Sequence, residues 1–173
     1  MKTKLKTALA LAFLAAFITP FVLPEYRQGE PSLRGRYAKD FSFTLDGKPS
    51  RLSELRGKVV VVDFWASYCQ PCVEEAPSLN KLEQHIAPRG GTILGVSFDE
   101  DQSAYQSFLQ GFSVDFPTFR DPSHAIAASY GSSMIPETYI IDRAGRIQRK
   151  LIGAQDWTSP DMLSFFDSLL AQK

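Results

Sequence analysis

Apolar residues along this chain fall into short runs that predict strands. Residues 59–65 read VVVVDFW and are almost wholly apolar, as is typical of a strand covered on both faces. Residues 92–98 form a second run of this kind. At 41–45 apolar and polar residues alternate, and the Asp46-Gly47 pair that follows predicts a hairpin turn. These three segments predict the first strands of a sheet.

Between and after these runs, the apolar spacing changes to that of helices. Residues 73–85 and 101–112 each carry apolar side chains on one helical face. A short helix is predicted at 123–130, directly after an Asp-Pro start signal. The last helix is predicted at 158–170, with Ser159 as its cap.

The C-terminal part of the chain adds further strands. Residues 137–141 and 147–152 are joined around Ala144-Gly145, which predicts a hairpin, and 116–119 predicts a short strand. Strands and helices alternate first, and a hairpin and a closing helix follow. This order predicts an α/β fold with a central mixed sheet flanked by helices.

The first residues have the pattern of an export signal. Lys2, Lys4 and Lys6 precede an apolar run at 7–23, which is at the short end of what spans a bilayer as a helix. No small-x-small cleavage site follows, so we expect residues 1–24 to be an uncleaved signal anchor. A cleaved signal peptide and a buried core helix are the alternatives. The lysines should stay in the cytoplasm, which places the remainder outside it.

The rest of the chain has room for one domain. Residues 25–38 are polar and contain Gly and Pro, which predicts a juxtamembrane linker, and 39–173 then form the domain. The 173 residues are 44% hydrophobic and 22% charged, which is ordinary for a globular protein. Nineteen basic residues balance 19 acidic ones, so no basic surplus points to nucleic acid.

The two cysteines, Cys69 and Cys72, stand between a predicted strand and a predicted helix. A sulfur at the start of a helix lies near unpaired N–H groups and the positive end of the dipole, which lowers the thiol pKa below about 8.5. Cys72 lies one turn further on the same face and can attack a mixed disulfide formed at Cys69. Pro71 suits the first helical turn. The pair therefore predicts reversible disulfide chemistry.

Three other interpretations of the cysteine pair have less support. A purely structural disulfide would restrict the unfolded chain little, because the loop that it closes is small. A zinc site would need two more ligands, and His85 and His124 lack a paired spacing. A copper site would need a histidine close to the cysteines in space. We therefore expect neither a metal nor an organic cofactor.

Residues 61–72, VVDFWASYCQPC, resemble the active-site segment of thioredoxins. Further matching features are LSELRGK at 52–58, Glu75, Pro77 and IPETYIID at 135–142. With the predicted anchor, they make residues 39–173 similar to the TlpA/ResA/CcmG-like family, the membrane-tethered thioredoxin-like thiol–disulfide oxidoreductases of bacteria. The resemblance implies a thioredoxin-like fold, with 99–130 as the family's central insertion.

The resemblance also implies roles for single residues. Cys69 would be the exposed nucleophile and Cys72 the resolving thiol. Asp63, whose pKa should rise in an apolar strand, would take or give the Cys72 proton. Glu75 matches the family's acidic position, and Pro136 matches a cis-proline beside the active site. Plain structural roles are the alternatives for the two acids, and a trans turn for the proline. Substrate docking would fall to Trp65, Tyr68, Gln70, Pro71 and Ile135.

The function that the resemblance implies is reduction of disulfides in exported proteins, such as apocytochrome c. The chain would be a single-pass protein of the bacterial inner membrane, held by residues 7–23, with its catalytic domain on the periplasmic side. Electrons would come from a membrane thiol reductant. One alternative is a thiol peroxidase, but the required Pro-x-x-x-Thr-x-x-Cys pattern is absent before Cys69. The other alternative is a non-catalytic tethered adaptor.

Overall fold

A five-stranded mixed sheet forms the centre of the protein. The computed structural model describes residues 33–45 and 47–172. The central sheet has the order β5-β4-β3-β6-β7; β4 runs parallel to β3 and β5, whereas β6 is antiparallel to β3 and β7. A separate antiparallel hairpin joins β1 and β2. The strands are β1 (Ser42–Leu45), β2 (Lys48–Arg51), β3 (Val59–Trp65), β4 (Gly91–Ser97), β5 (Thr118–Arg120), β6 (Glu137–Ile141) and β7 (Ile147–Ile152).

Helices cover both faces of this sheet. The long first helix follows β3 directly, so its N-terminus lies at the carboxyl end of the central strand. The helices are α1 (Gln70–Ile86), α2 (Gln102–Gly111), α3 (Ala125–Tyr130) and α4 (Pro160–Leu170), with short 3-10 turns at Leu52–Leu55 and Ala87–Arg89.

The strand β3 is buried along its whole length because its side chains alternate between two apolar clusters. Val59 and Val61 pack in a cluster with α1 and α4. Val60 and Val62 pack in the other cluster, which also holds Phe43 of β1 and most aromatic side chains of the segment 98–130. Asp63 lies in the same strand and is therefore carried into the interior.

Within the described residues, the predicted strands and helices are all present, with changes at their ends. The strands predicted at 59–65, 137–141 and 147–152 have these bounds. The first helix begins at Gln70 rather than at 73, because its start is set by the cap and not by the apolar spacing. Ser159 is the cap residue of α4, but its side chain makes no capping hydrogen bond.

The domain includes residues 33–38, which the local composition predicts to be part of the linker. The Gly35 N–H donates to the Ile147 carbonyl oxygen (2.7 Å), and Tyr37 forms an antiparallel β-bridge with Arg146. The Arg146 guanidinium also lies 4.1 Å from the centre of the Tyr37 ring. These contacts attach the segment to the start of β7. Because the two segments are more than 100 residues apart, local composition does not predict their pairing.

The predicted anchor at 1–24 and the first part of the predicted linker, up to residue 32, lie outside the described residues. Among the residues that are described, no helix has the length and apolar content to cross a bilayer.

Candidate active site

The two cysteines lie at the N-terminus of α1 and are joined in a disulfide, with their Cα atoms 5.3 Å apart. Cys69 is the N-cap residue, and its sulfur accepts a hydrogen bond from the Cys72 N–H at 3.3 Å. Cys69 is 8% exposed and Cys72 is 2% exposed. Both residues are therefore buried in this oxidised state, Cys72 more completely than Cys69, so the expected exposure of Cys69 is not seen here.

This position stabilises negative charge on Cys69. The first N–H groups of a helix have no partner within the helix, and here one of them points at the sulfur. The positive end of the helix dipole acts in the same direction. Pro71 occupies the first turn, where it removes no helical hydrogen bond. The arrangement favours a thiolate at Cys69 once the disulfide is reduced.

Asp63 is 1% exposed and lies behind the cysteines. The Thr138 hydroxyl donates to its Oδ1 at 2.8 Å, across the β3–β6 pair. Burial raises the pKa of Asp63 to about 7, and the Thr138 hydrogen bond opposes part of that shift. A small cavity, with about 10 Å³ of room for the centre of a water molecule, joins Asp63 to Cys72. Its lining residues are Asp63, Trp65, Cys72, Ala76, Leu79, Phe108 and Phe116.

Glu75, one turn into α1, is a second buried acid. Its Oε2 accepts from the Gln155 N–H at 3.0 Å and from Trp157 Nε1 at 3.1 Å. Burial, and after it the charge of Asp63, raises the pKa of Glu75 to about 8. A charge on Asp63 therefore disfavours ionisation of Glu75.

Pro136 directly precedes β6, and the Ile135-Pro136 peptide bond is cis. Phe64 pairs with Glu137 in the β3–β6 ladder, so one further step of the register sets Pro136 beside Trp65. Ile135 is half-buried and packs against the apolar cluster that contains both cysteines. The structure thus brings the proline segment to the end of β3 that leads into the cysteine turn.

Four of the five predicted docking residues have side chains at or near the surface. Tyr68 is 70% exposed, and Gln70 and Pro71 are exposed beside it. Trp65 is different, because it is buried against Tyr105 and Phe108. Trp65 therefore packs in the interior beneath the cysteine turn and offers no surface for docking, so the prediction for this residue is wrong.

Sequence reasoning missed the partners of the buried acids. Thr138 lay within a recognised motif, but no local pattern indicates that it faces Asp63. Gln155 and Trp157 are some 80 residues from Glu75 in sequence. A tryptophan in a polar loop was the available signal, since a buried indole N–H usually needs an acceptor.

A second missed feature is the buried ion pair next to the proline segment. Lys150 Nζ lies 3.2 Å from Glu137 Oε1, and both side chains are buried. The Tyr139 hydroxyl also donates to that oxygen at 2.7 Å. Elsewhere, the described residues contain no group of three His, Cys, Asp or Glu side chains arranged to hold a metal ion.

A mixed sheet with a Cys-x-x-Cys disulfide at the first helix and a cis-proline near it defines a thioredoxin-like thiol–disulfide oxidoreductase. The comparisons with known proteins agree. The chain belongs to the AhpC/TSA family, whose model matches residues 35–150. It is also similar to the thiol-disulfide oxidoreductases named ResA. The chain is accordingly an enzyme that exchanges thiols and disulfides.

The relatives match most of the chain. It is 33% identical to the thiol-disulfide oxidoreductase ResA of Bacillus thuringiensis over 122 residues, 70% of either chain. It is 31% identical to ResA of Geobacillus thermodenitrificans over 136 residues, 78% of this chain and 77% of the relative.

Solved structures show the same fold. A secreted thiol-disulfide isomerase from Corynebacterium glutamicum aligns with a TM-score of 0.71 and 25% identity, covering 84% of this chain and 91% of that one. A thioredoxin family thiol:disulfide interchange protein from Chlorobium tepidum aligns with a TM-score of 0.68 and 26% identity, covering 80% and 98%.

Proposed function

We propose that this enzyme works as a reductase, passing electrons from the Cys69–Cys72 dithiol to disulfides in exported proteins. The observation that carries the proposal is the position of Cys69 as the cap of α1, with Cys72 behind it next to a buried carboxyl group. One sulfur is thereby prepared for attack, and the other is held where its proton can be removed.

The cycle begins with the Cys69 thiolate attacking one sulfur of the client disulfide. The client S–S bond breaks, a mixed disulfide forms at Cys69, and the released client thiolate takes a proton from solvent. Cys72 then loses its proton and attacks the Cys69 sulfur. The second client thiolate leaves and is protonated, so two electrons have passed to the client and the enzyme holds its own disulfide.

Asp63 is the proposed acceptor of the Cys72 proton. Both groups line the same small cavity, so the transfer can run directly or through one water molecule. Because burial keeps the pKa of Asp63 near the working pH, the carboxyl can both take and release the proton. Glu75, whose pKa is raised beside it, is the proposed next group toward the surface groove formed with Ser78, Gln155 and Asp156.

Client binding is proposed at the rim made by the cysteine turn and the proline segment. Tyr68, Gln70 and Pro71 are exposed on one side. On the other side Met134 is 57% exposed, and the Ile135-Pro136 backbone lies at the end of β3. An extended client segment could lie between them, with its disulfide at Cys69.

The cellular setting is proposed from the sequence. Residues 1–24 would tether the domain to the bacterial inner membrane, on its periplasmic side, and a membrane thiol reductant would restore the dithiol. Apocytochrome c is the proposed client, in keeping with the resemblance to the TlpA/ResA/CcmG-like family.

Insulin reduction tests the direction of the reaction. The reduced domain, in stoichiometric amounts, should cleave insulin disulfides and end as the Cys69–Cys72 disulfide. Cys69→Ser should be inactive, and Cys72→Ala should stop at a mixed disulfide with insulin. Hydrogen peroxide as the alternative oxidant should react slowly by comparison. Faster turnover with peroxide than with insulin, or an active Cys69→Ser variant, would exclude the proposal.

A further inference from the structure

A buried carboxylate outside the proposed relay is bonded to the turn that carries Cys69. Asp99 follows β4 and is 2% exposed. Its carboxylate accepts from the Ser67 hydroxyl at 2.6 Å and from the Ser97 hydroxyl at 2.7 Å. The Ser67 backbone N–H also donates to it, at 3.0 Å and 3.2 Å from its two oxygens. Three donors, the Ser67 N–H shared between both oxygens, therefore converge on one buried side chain.

The bonded residue lies in the tight turn between β3 and α1. The Cys69 N–H donates to the Ala66 carbonyl oxygen at 3.2 Å and closes this turn around Ser67. On the strand side, the Phe98 N–H donates to the Trp65 carbonyl oxygen at 2.8 Å. The position of Cys69 relative to the helix N-terminus thus depends on a turn whose second residue is attached to Asp99.

The ionisable side chains closest to Asp99 do not compete with Ser67 for its carboxylate. Arg120 donates to the backbone carbonyl oxygens of Asp99 and Glu100, at 3.3 Å and 2.7 Å. The His124 ring stacks on Phe98 at 4.3 Å between centres. Arg120 and His124 therefore bond to backbone oxygens and not to the Asp99 carboxylate.

We propose that Asp99, acting through Ser67, is a positioning residue that holds Cys69 at the N-terminus of α1 in its reactive geometry. The inference rests on the proposed role of Cys69 as the nucleophile. A buried carboxylate with three donors is a strong anchor because each charge-assisted hydrogen bond is stronger than a neutral one. A looser turn would let the Cys69 sulfur leave the Cys72 N–H and lose its stabilisation as a thiolate.

The sign of one change separates positioning from a direct charge effect. If Asp99 acted only by its charge, removing that charge would favour the Cys69 thiolate and lower the pH at which the thiol reacts. If Asp99 acts by positioning, its removal raises that pH, because the helix N-terminus no longer stabilises the thiolate. If Asp99 had only a structural role, its removal would leave the pH at which Cys69 reacts unchanged.

The experiment is iodoacetamide alkylation of the reduced protein across pH, with Cys69 and Cys72 followed separately by mass spectrometry. Asp99→Asn should raise the midpoint of the Cys69 profile by about 0.5 to 1 pH unit. Ser67→Ala, which keeps the Asp99 charge, should shift it in the same direction by less. Ser67→Thr keeps the hydroxyl and should restore the wild-type midpoint.

Asp121→Asn is the matched control. Asp121 is also buried and accepts from the Ser123 hydroxyl (2.7 Å) and the Ile126 N–H (2.8 Å), at the start of α3. This variant loses a comparable carboxylate without touching the cysteine turn, so its Cys69 midpoint should equal that of wild type even if it unfolds more easily.

Three outcomes decide the matter. A raised midpoint in Asp99→Asn and Ser67→Ala, with no shift in the control, supports positioning. An unchanged or lowered midpoint in Asp99→Asn overturns it, and if Asp99→Asn does not fold, an unchanged midpoint in Ser67→Ala does so. If Cys72 rather than Cys69 is the acidic thiol in wild type, the proposed function fails first, and that result is visible before any variant is compared.

Discussion

Asp63 and Thr138 are direct partners across the β3–β6 ladder, and the Thr138 hydroxyl donates to the Asp63 carboxylate at 2.8 Å. Within the part of the chain that the structure describes, this is the only hydrogen bond of the Asp63 side chain. One neutral donor does not replace the water that a carboxylate loses on burial. The acid is therefore held in a state from which it can exchange a proton near neutral pH.

We expect Asp63→Asn to slow the second step of the cycle more than the first. The variant keeps the shape of the site but cannot accept the Cys72 proton, whereas Cys69 attack does not need that group. Stopped-flow mixing with a fluorescent disulfide peptide would resolve the two phases. Equal slowing of both phases, or of neither, would remove Asp63 from the relay.

Reduced Cys69 should be alkylated well below pH 8.5 and faster than Cys72 at pH 7. The reason is the N-cap position of Cys69 and the deeper burial of Cys72. Mass spectrometry of peptides after timed iodoacetamide quenching measures both rates. Unfolded protein in urea is the control, since there the two thiols should react alike.

The two raised acids should make the protein less stable as pH rises from about 4 to about 8. The folded pKa values of Asp63 and Glu75 lie above their unfolded values, so the folded protein retains protons that the unfolded chain has released. The stability from these groups is complete below the unfolded pKa values and is lost as pH rises through the folded ones. The slope is at most roughly 1.4 kcal/mol per pH unit for each group.

Urea unfolding at intervals across this range measures that slope. The double variant Asp63→Asn, Glu75→Gln should show a much flatter profile and should be more stable than wild type at pH 8. A wild-type stability that increases from pH 4 to pH 8 would contradict the raised pKa values.

At Glu75, the hydrogen bonds and the charge can be separated. Glu75→Gln keeps a carbonyl oxygen for the Gln155 N–H and Trp157 Nε1, so its stability at pH 5.5 should stay close to that of wild type. Glu75→Ala leaves both donors without this acceptor and should cost about 2–4 kcal/mol. Urea unfolding, followed by Trp fluorescence, distinguishes the two; equal losses would mean that the acceptor is not important.

The buried pair of Lys150 and Glu137 should be needed as a pair. Lys150→Met leaves a buried carboxylate without its cation and should destabilise the protein by about 3–5 kcal/mol. Adding Glu137→Gln should recover a large part of that loss. Chemical denaturation of the single and double variants gives the coupling energy, and simple additivity would show that the pair is not coupled.

The sequence predicted best what local patterns control. The run VVVVDFW gave β3 its bounds, and the cysteine spacing with Pro71 placed Cys69 at the start of α1, because strands and helix caps are determined by neighbours in sequence. The cis-proline came from a recognised motif. Contacts such as Ser67 with Asp99 or Glu75 with Trp157 join distant segments, and no local pattern encodes them.

The burial of Trp65 also depends on a contact between distant segments that local sequence does not predict. Its place next to the cysteine turn suggested a surface role, but the later segment 102–111 supplies Tyr105 and Phe108 to cover it. Whether a residue beside an active site faces a client or the interior depends on elements that fold over it from elsewhere in the chain.

The β-bridge between Tyr37 and Arg146 shows which end of the domain the segment 33–38 occupies. It lies by the start of β7, at the end of the sheet where β3 begins, whereas Cys69 follows the end of β3. The seven residues of β3 separate these two ends by about 20 Å. A chain that enters at residue 33 therefore meets the domain at the pole opposite its disulfide. If residues 1–24 anchor the protein as proposed, the disulfide would therefore lie at the end of the domain away from the anchor, where client proteins can reach it.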